Sequence, residues 1–524
     1  MFLELRNYSE TINEINEQVN AIFDKSPFVL INVEDGYLCN QEKRRSMFER
    51  DPRYYLLVSS MSTMPDMDHI KEVVEGYFHY VMFSHTWEGE EPSFELVSTN
   101  SVYQLAPSPQ NHKLRKFCEM VRDDYKPYRW SWSDTCCINK MDRDTYEKSI
   151  RFMYKWYHNS ALTLVLLAHL SKSNPPHSTH LKHNRWMFRA WTLQELLAPK
   201  VIRFYNRNWE LYIDGSHFNH KAIPLVKAEL QGAMNSVEGT LNDDFSPNTL
   251  TVRQRLRMAS TREATVKVDI AYALIGIFNS DIHVEYTREG EVALGLLLQE
   301  IVNRQGDITV LDWVGKPSMF NSSIPSDFSV YKPGPYKPYE LPSITDDMVD
   351  QRAKALDNTS LKEEVTSFHS LLSTLGLPRF SDRRLSLPCI TFSVIGIKCT
   401  NTSSNAPDKA ASTYLASTAA LGEVRFKTKD TSFSKSLNSR RVVLVYPWIR
   451  DLLAQVRHRG GSKHTRASRL ITHLEQGFRA LLFVEKSDQQ YRRVAADEEI
   501  SVPAYELTSL EDVSVEVLEI WEKS

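Results

Sequence analysis

The chain has 524 residues, of which 42% are hydrophobic and 25% charged, and its formal net charge at pH 7 is -3. This length predicts roughly two to four domains, and the composition is typical of a packed soluble protein. A net charge so close to zero gives no reason to expect a nucleic acid or a membrane surface as a partner, so we predict neither.

The cysteines and the apolar runs exclude two further classes of protein. No Cys-x-x-Cys pair and no His-x(3–5)-His spacing occurs near Cys39, Cys118, Cys136, Cys137, Cys389 or Cys399, so no metal site is predicted. The amino terminus lacks the pattern of a secretory signal, and the longest apolar run, residues 161–168, is far shorter than the ~20 residues that span a bilayer. We therefore expect a cytoplasmic protein with reduced thiols and no membrane span.

Residues 1–75 are predicted to form a helical lead-in. Ile12, Ile15, Val19 and Ile22 recur at helical spacing, and Pro27 ends this run. Over residues 76–215, strands predicted at 78–83, 130–137, 162–167 and 201–205 alternate with helices predicted at 112–125, 145–160 and 185–197. This alternation predicts an α/β domain whose parallel sheet is flanked by helices.

The remaining residues divide by composition into three further segments. Residues 216–315 are predicted to be a helical extension, and residues 316–374, which begin with a stretch rich in Pro, Ser and Tyr, a linker. Short apolar runs at 390–397, 423–427, 442–446 and 480–484 predict a β-rich carboxyl-terminal domain over residues 375–524, whose role the sequence does not indicate.

In a parallel sheet of this kind the ligand site lies beyond the carboxyl ends of the strands. This rule selects Ser84, His85 and Trp87 after the first strand, Asp134 and Cys136 after the second, and the loop at residues 169–184 after the third. Ser84 and His85 are neighbours in a strand and point to opposite faces, so they cannot form a catalytic dyad with each other. Hydrogen bonds to loop backbone remain the alternative role for both, and turn capping remains the alternative for Asp134.

Glu195 is the candidate catalytic residue. It lies in the largely apolar segment 189–196 (Arg-Ala-Trp-Thr-Leu-Gln-Glu-Leu), where a carboxylate is costly unless it is paired or has a task. On a helix, Trp191 and Glu195 lie one turn apart. An aromatic ring beside a carboxylate suits a flat cationic ring, and the carboxylate suits acid–base work. The alternative that stays open is a structural ion pair of Glu195 with Arg185 or Arg189.

Phosphate-binding glycine loops of the G-x-G-x-x-G or G-x-x-x-x-G-K-[ST] type do not occur in the sequence. If a nucleotide binds, arginines and helix amino termini must hold its phosphates. Arg189, with Arg185 one turn before it, is placed for this, and Trp87 and Trp191 are the tryptophans that we expect to face a ligand.

Three spaced motifs follow one another along the chain: residues 80–87 (Y-x-x-x-S-H-x-W), 132–139 (W-x-D-T-x-C-I-N) and 189–195 (R-x-W-T-L-Q-E). In these motifs and their order the chain resembles the HET domain, the heterokaryon-incompatibility domain of fungal proteins. Similarity continues through residues 259–262 (Ala-Ser-Thr-Arg) and 269–278, so that it covers about residues 75–315. Lys140 departs from the family pattern, in which Gln is common at this position.

The resemblance implies a cell-death effector that acts after non-self recognition between fungal cells. HET domains are considered distant relatives of TIR domains, which implies a TIR- or flavodoxin-like fold. In many TIR domains a Glu on a comparable helix supports cleavage of NAD at the nicotinamide bond. By resemblance, Glu195 is then catalytic, no cofactor is needed, and NAD binds as the substrate to Ser84, His85, Trp87, Asp134, Arg189 and Trp191.

The resemblance also implies association, either as a homo-oligomer or with an incompatibility partner protein. A second interpretation therefore stays open, in which the chain is a non-catalytic signalling module that works through homotypic association of HET domains.

Overall fold

The structure is a computed structural model that describes residues 2–60, 66–167, 180–213, 217–235, 241, 246–333, 344–357, 361–400, 411–436, 440–458, 462–487 and 489–521. Most of the loop predicted at residues 169–184 lies outside these residues. The chain divides into two compact units, the first formed by Met1–Leu250 with Thr261–Tyr286 and the second by Thr251–Ser260 with Thr287–Ser524. The domain boundaries suggested by the sequence stay predictions.

The helices are listed here in chain order: α1 (Phe2–Phe23), α2 (Gln41–Phe48), α3 (Pro52–Ser60), α4 (Met67–Phe78), α5 (Phe94–Thr99), α6 (Pro109–Asp123), α7 (Arg143–His158), α8 (His180–His183), α9 (Thr192–Leu197), α10 (Pro224–Met234), α11 (Val252–Ala259), α12 (Asp269–Tyr272), α13 (Ile275–Phe278), α14 (Gly290–Gln305), α15 (Asp346–Asp357), α16 (Leu361–Thr374), α17 (Thr431–Ser436), α18 (Ile449–His458) and α19 (Lys463–Glu475). In the part of the chain that the structure describes, no helix is long and apolar enough to cross a membrane.

The strands follow in the same order: β1 (Val29–Asn32), β2 (Leu38–Asn40), β3 (Tyr80–His85), β4 (Trp130–Trp132), β5 (Leu162–Leu167), β6 (Ile202–Asn206), β7 (Arg379–Ser381), β8 (Arg384–Ser393), β9 (Gly396–Cys399), β10 (Ser412–Thr418), β11 (Gly422–Thr428), β12 (Val442–Tyr446), β13 (Phe478–Ser487), β14 (Gln490–Val494), β15 (Ile500–Val502) and β16 (Val513–Ile520).

The first unit contains a six-stranded sheet in the order β2-β1-β4-β3-β5-β6. Strands β4, β3, β5 and β6 are parallel, as the alternation of strands and helices predicts. Every residue of β3 and β5 is buried, which explains why both strands are apolar almost without interruption. The carboxyl ends of these strands therefore lie at one edge of the sheet and their amino ends at the opposite edge.

In the first unit, capping residues explain where helices begin, and apolar faces explain how they pack. Asp142 accepts a hydrogen bond from the backbone N–H of Thr145 and begins α7, whose buried face includes Met153 and Trp156. On α13, a Cβ atom at Gly276 would collide with the Tyr154 side chain of α7. The absence of a side chain at Gly276 thus lets these two helices pack closely.

Three predictions for the first unit were wrong in part. The lead-in is not only helical, because β1 and β2 form a hairpin that joins the sheet antiparallel to β4. The second predicted strand ends at Trp132 rather than at residue 137. The helix predicted at 185–197 is a 3-10 turn (Arg185–Phe188) followed by α9, because the backbone between them pairs with a distant segment: the Ala190 N–H donates to the Glu263 carbonyl at 2.8 Å.

The second unit contains the β-rich region that the sequence predicts. Strands β12, β13, β14, β16 and β8 pair in that order, and β8 pairs back with β12, so that the sheet closes into a five-stranded barrel-like ring. Closure pairs the backbone N–H and C=O groups that the edge strands of an open sheet would leave unpaired. Strands β9, β10 and β11 form a separate sheet, and helices α15 and α16 lie within the segment predicted as a linker.

Candidate functional site

The carboxyl end of β3 is where the sequence-predicted residues meet. The Ser84 hydroxyl donates a hydrogen bond to the Glu195 carboxylate and accepts one from the Trp186 indole N–H at 2.7 Å. All three side chains are buried. Serine 84 thus bonds a side chain of α9 rather than loop backbone, and it fixes the position of the Glu195 carboxylate at the edge of the sheet.

Glu195 is only 5% exposed. Its burial, and to a smaller extent the negative charge of Asp134, raise the pKa of Glu195 to about 8, against the hydrogen bond from Ser84 and the charges of Arg189 and Arg262. The side chain is therefore mostly protonated at neutral pH. The structural pair of Glu195 with Arg185 or Arg189 is not formed, since the carboxylate bonds Ser84 instead.

Asp134 lies just after β4 and faces the end of β3. Its Oδ2 accepts a hydrogen bond from the Trp87 indole N–H at 2.9 Å, and its Oδ1 lies 3.6 Å from His85 Nε2. Burial raises the pKa of Asp134 to about 6 although the Trp87 hydrogen bond and the charge of Lys140 lower it. The Lys140 ammonium sits over the Trp87 ring, 4.2 Å from its centroid.

His85 is a neutral, buried side chain. Burial and the nearby charges of Lys113 and Arg189 hold the pKa of His85 well below its usual value. Its Nδ1 lies 3.2 Å from the Thr86 carbonyl, so Nδ1 carries the proton and Nε2 is left as an acceptor. Within the described residues Nε2 has no hydrogen-bond partner, because Asp134 opposite it offers an acceptor as well. A hydrogen-bond donor of a ligand fits this position.

A cavity of about 260 Å³ lies next to this cluster, on the side of the 3-10 turn and α9. Its walls include Arg185, Arg189 and Trp191, together with Glu263 and Asp269 from the following segment. The Trp191 indole is bonded to the Asp269 carboxylate, whose pKa is raised mainly by burial. Two guanidinium groups beside an indole suit a planar group that carries a negative charge.

A second cavity, of about 710 Å³, lies under Trp87 and Lys140. It also includes Thr135, next to Asp134. Neither of these two cavities has Glu195 in its lining. Ser84 and Glu195 form one hydrogen-bonded pair and Trp87, Asp134 and His85 form a neighbouring group, whose Asp134 charge acts on Glu195. Arg189 and Trp191 line the adjoining cavity.

The sequence did not predict that Arg262, from the segment after the alternating strands and helices, lies beside the helix that carries Glu195. Arg262 is 6% exposed and donates from Nη1 to the Thr192 hydroxyl at 3.0 Å, at the start of the helix that carries Glu195. Burial lowers the pKa of Arg262 to about 9, and the Glu195 carboxylate partly opposes this. The Ala-Ser-Thr-Arg motif at 259–262 was the available signal, but nothing in its spacing places it beside residue 195.

The comparisons with known proteins agree with the motifs. Residues 80–177 match the family model described as heterokaryon incompatibility protein (HET). These residues are therefore similar to the HET domain. The chain is also 30% identical over 247 residues to the vegetative incompatibility protein HET-E-1 of Podospora anserina. That alignment covers 44% of this chain but only 17% of the relative, and no solved structure matches the chain.

The match to the HET domain divides the candidate residues into two groups. Ser84, His85, Trp87 and Asp134 lie within residues 80–177. Glu195 lies beyond them, as do Arg189 and Trp191. The hydrogen bond between Ser84 and Glu195 therefore joins a residue inside the matched HET segment to one outside it.

Proposed function

We propose that this chain is an effector of heterokaryon incompatibility that leads to cell death by cleaving NAD, with Glu195 as the catalytic carboxylate. The observation that carries the proposal is the buried Glu195 side chain, which is bonded to Ser84 at the carboxyl end of β3 and forms no ion pair with an arginine among the described residues. A carboxyl group with a raised pKa at this edge of a parallel sheet is typical of a functional site.

The order of the parallel strands supports the proposed relation to TIR domains. The four parallel strands lie side by side in the order β4-β3-β5-β6. If they are renumbered 1 to 4 along the chain, this order is 2-1-3-4. This is the order of the flavodoxin-type doubly wound sheet, whose ligand lies between the first and third strands. Ser84, the last residue but one of β3, is next to Val165 of β5 in the register.

The chemistry that we propose is hydrolysis of the bond between the nicotinamide nitrogen and ribose C1′. The electron pair of this bond leaves with nicotinamide, the ribose becomes an oxocarbenium ion, and water adds to C1′ with loss of one proton. The products are nicotinamide, ADP-ribose and H⁺. An ionised Glu195 stabilises the cation, and the positive charge of the bound pyridinium favours that ionisation.

The remaining parts of the site have supporting roles in this proposal. Arg189 binds a phosphate of NAD, Trp87 or Trp191 contacts the pyridinium ring, and His85 and Asp134 shape the pocket. We propose that self-association or an incompatibility partner protein exposes Glu195 to substrate. The expected cytoplasmic location and the absence of a nucleic-acid partner stay predictions.

The test is release of nicotinamide from NAD by the purified full chain at several protein concentrations. We expect turnover that rises more steeply than protein concentration, that is lost in Glu195→Gln, and that is unchanged in Glu72→Gln, which alters an exposed glutamate of α4. If the concentrated wild-type protein releases no nicotinamide, the enzymatic proposal is wrong.

One observation favours a second candidate, a non-catalytic module that signals through homotypic association. Glu195 is 5% exposed and lines neither of the two neighbouring cavities. In this case Glu195 stabilises the fold, and Glu195→Gln should be as toxic as the wild type when it is expressed in a fungal cell. Surface substitutions that prevent association would instead abolish toxicity.

A further inference from the structure

A further cleft of the first unit lies at the opposite edge of the sheet, where the parallel strands begin. Tyr80 at the start of β3, Ala161 just before β5 and Val201 just before β6 line a cavity of about 550 Å³. This volume is in the range of small-molecule sites. Tyr80 and the Ser84–His85 end of β3 are separated by four to five residues of strand, roughly 13–17 Å, and none of the residues proposed to bind NAD lines the cleft.

Positive charge dominates the lining of this cleft. It contains three lysines, Lys25, Lys71 and Lys200, and one carboxylate, Glu75. Over the described ranges of the chain, none of the three ammonium groups has a hydrogen-bond acceptor or an ion-pair partner in the protein. The cleft is therefore a cationic surface whose charges are available to a ligand.

A buried hydroxyl group provides an independent observation. Ser26 lines the same cleft and is 2% exposed, and among the described residues its Oγ has no hydrogen-bond partner. Burying a hydroxyl group without a partner is unfavourable, so such groups are usually completed by a ligand or a water molecule. The unpaired hydroxyl of Ser26 thus indicates that a polar atom of a ligand belongs in the cleft.

The lysines are not explained by the helix ends nearby. Helices α1, α4 and α7 all end at this cleft, and helix carboxyl termini attract cations. However, Gln41 Nε2 donates to the Phe23 carbonyl at 3.0 Å, and Asn159 Nδ2 donates to the Lys155 carbonyl at 2.7 Å. Since other side chains already bond a carbonyl group at the ends of α1 and α7, these two helix ends do not require the ammonium groups.

We propose that this cleft binds a small molecule that carries phosphate groups. Lys25, Lys71 and Lys200 contact its phosphates and Ser26 donates a hydrogen bond to it, as ammonium and hydroxyl groups commonly do. The apolar part of the lining, which includes Ile22, accommodates the rest of the molecule. Because the cleft is at the far edge of the sheet from Glu195, its ligand is an effector and not the substrate.

The experiment is isothermal titration of the full chain with two probes, inorganic pyrophosphate and adenosine triphosphate. We expect the double variant Lys71→Gln with Lys200→Gln to weaken binding about 10-fold or more, and Ser26→Ala to weaken it several-fold. Lys148→Gln, which changes an exposed lysine of α7 outside the cleft, should bind as the wild type does. Arg189→Gln, at the proposed substrate site, should also leave binding unchanged.

The proposal is overturned if the wild type binds neither probe, or if Arg189→Gln abolishes binding while the double lysine variant retains it. Lys71 and Lys200 are both exposed, so their replacement should not disturb folding, and circular dichroism checks this. If the double variant fails to fold, the single variants give the same comparison. A negative result in the NAD cleavage test does not affect this one. The two tests use different small molecules and different variants.

Discussion

The two units of the chain hold their buried charges in different ways. In the second unit, Arg253 and Asp312 form an ion pair at 3.2 Å with both side chains 1–2% exposed. Arg253 also donates to the carbonyl groups of Tyr331 and Pro333, at 2.8 Å and 2.9 Å. This arginine therefore uses its guanidinium group fully within the protein, and its role is to hold segments of the fold together.

At the candidate site of the first unit, two buried ionisable groups have fewer partners than Arg253 has. Arg262 Nε and Nη2 have no hydrogen-bond partner among the described residues, and Glu195 is bonded to a serine hydroxyl instead of to an arginine. Incomplete pairing of buried charge raises the free energy of the folded state. Stability alone therefore explains these groups poorly. Such incompletely paired groups are typical of functional sites.

The largest expected effect is the pH dependence of stability at Glu195. Its pKa is about 8 in the folded protein and about 4.3 when unfolded, so between these values the folded state keeps a proton that the unfolded state releases. The stability of the wild type should therefore fall relative to Glu195→Gln as pH rises from about 4.5 to 8. The difference should reach on the order of 5 kcal/mol above pH 8.

Urea unfolding at pH 5, 7 and 9 measures this difference. Glu72→Gln, at an exposed position, should follow the wild type at all three values. A Glu195→Gln effect that does not change with pH would mean that Glu195 is ionised in the folded state and would remove the contrast between the units.

The Arg253–Asp312 pair of the second unit should respond to truncation instead. Asp312→Ala leaves Arg253 buried without its carboxylate, and we expect a loss of about 3–5 kcal/mol in the free energy of unfolding. The control is Lys427→Gln, whose partner Glu498 is 2.8 Å away but whose side chain is 34% exposed, and it should cost less than about 1 kcal/mol. Equal effects of the two variants would show that burial does not set the strength of these pairs.

Ser84→Ala sharpens the role of the hydroxyl that joins β3 to α9. It leaves the Trp186 N–H and the Glu195 carboxyl group without their partner, at a cost of about 1–3 kcal/mol. Because the Ser84 hydrogen bond lowers the pKa of Glu195, the variant should raise this pKa further. The fall in stability should then extend to higher pH. Ser149→Ala removes a hydroxyl that bonds only the Thr145 carbonyl of its own helix, and it should leave that pH dependence where it is.

The smallest effect is expected at Lys140. Lys140→Gln removes the cation over the Trp87 ring, and we expect a loss of about 0.5–1 kcal/mol in a thermal unfolding experiment. The charge of Lys140 lowers the pKa of Asp134, so the same change should raise that pKa. An unchanged melting temperature would mean that the exposed ammonium group contributes nothing to this side of the site.

Much of the first unit could be predicted because its signals are local. The apolar runs of β3 and β5 and the helical faces of α6 and α7 each lie in one continuous segment. The hairpin of β1 and β2 was missed because its strands have only four and three residues, too few for a period of two to stand out beside the helical pattern before it.

Features that depend on distant segments could not be predicted. The break before α9 requires the backbone of Glu263 to bond Ala190, and no residue between 185 and 197 signals it. Likewise, closure of the barrel-like ring depends on the pairing of β8 with β12, which a propensity for strands does not specify. For the site, strand ends selected Ser84 and Asp134, but the partner of Glu195 followed only from the fold.

The most direct test of the central claim is the pH profile of kcat/KM for nicotinamide release from NAD by the full chain. If the Glu195 carboxylate stabilises the ribosyl cation, kcat/KM should rise with pH through about 8, the pKa of this group in the free protein, and Glu195→Gln should show no activity at any pH. A profile that is flat around pH 8, or a Glu195→Gln variant that releases nicotinamide as fast as the wild type, would contradict the account.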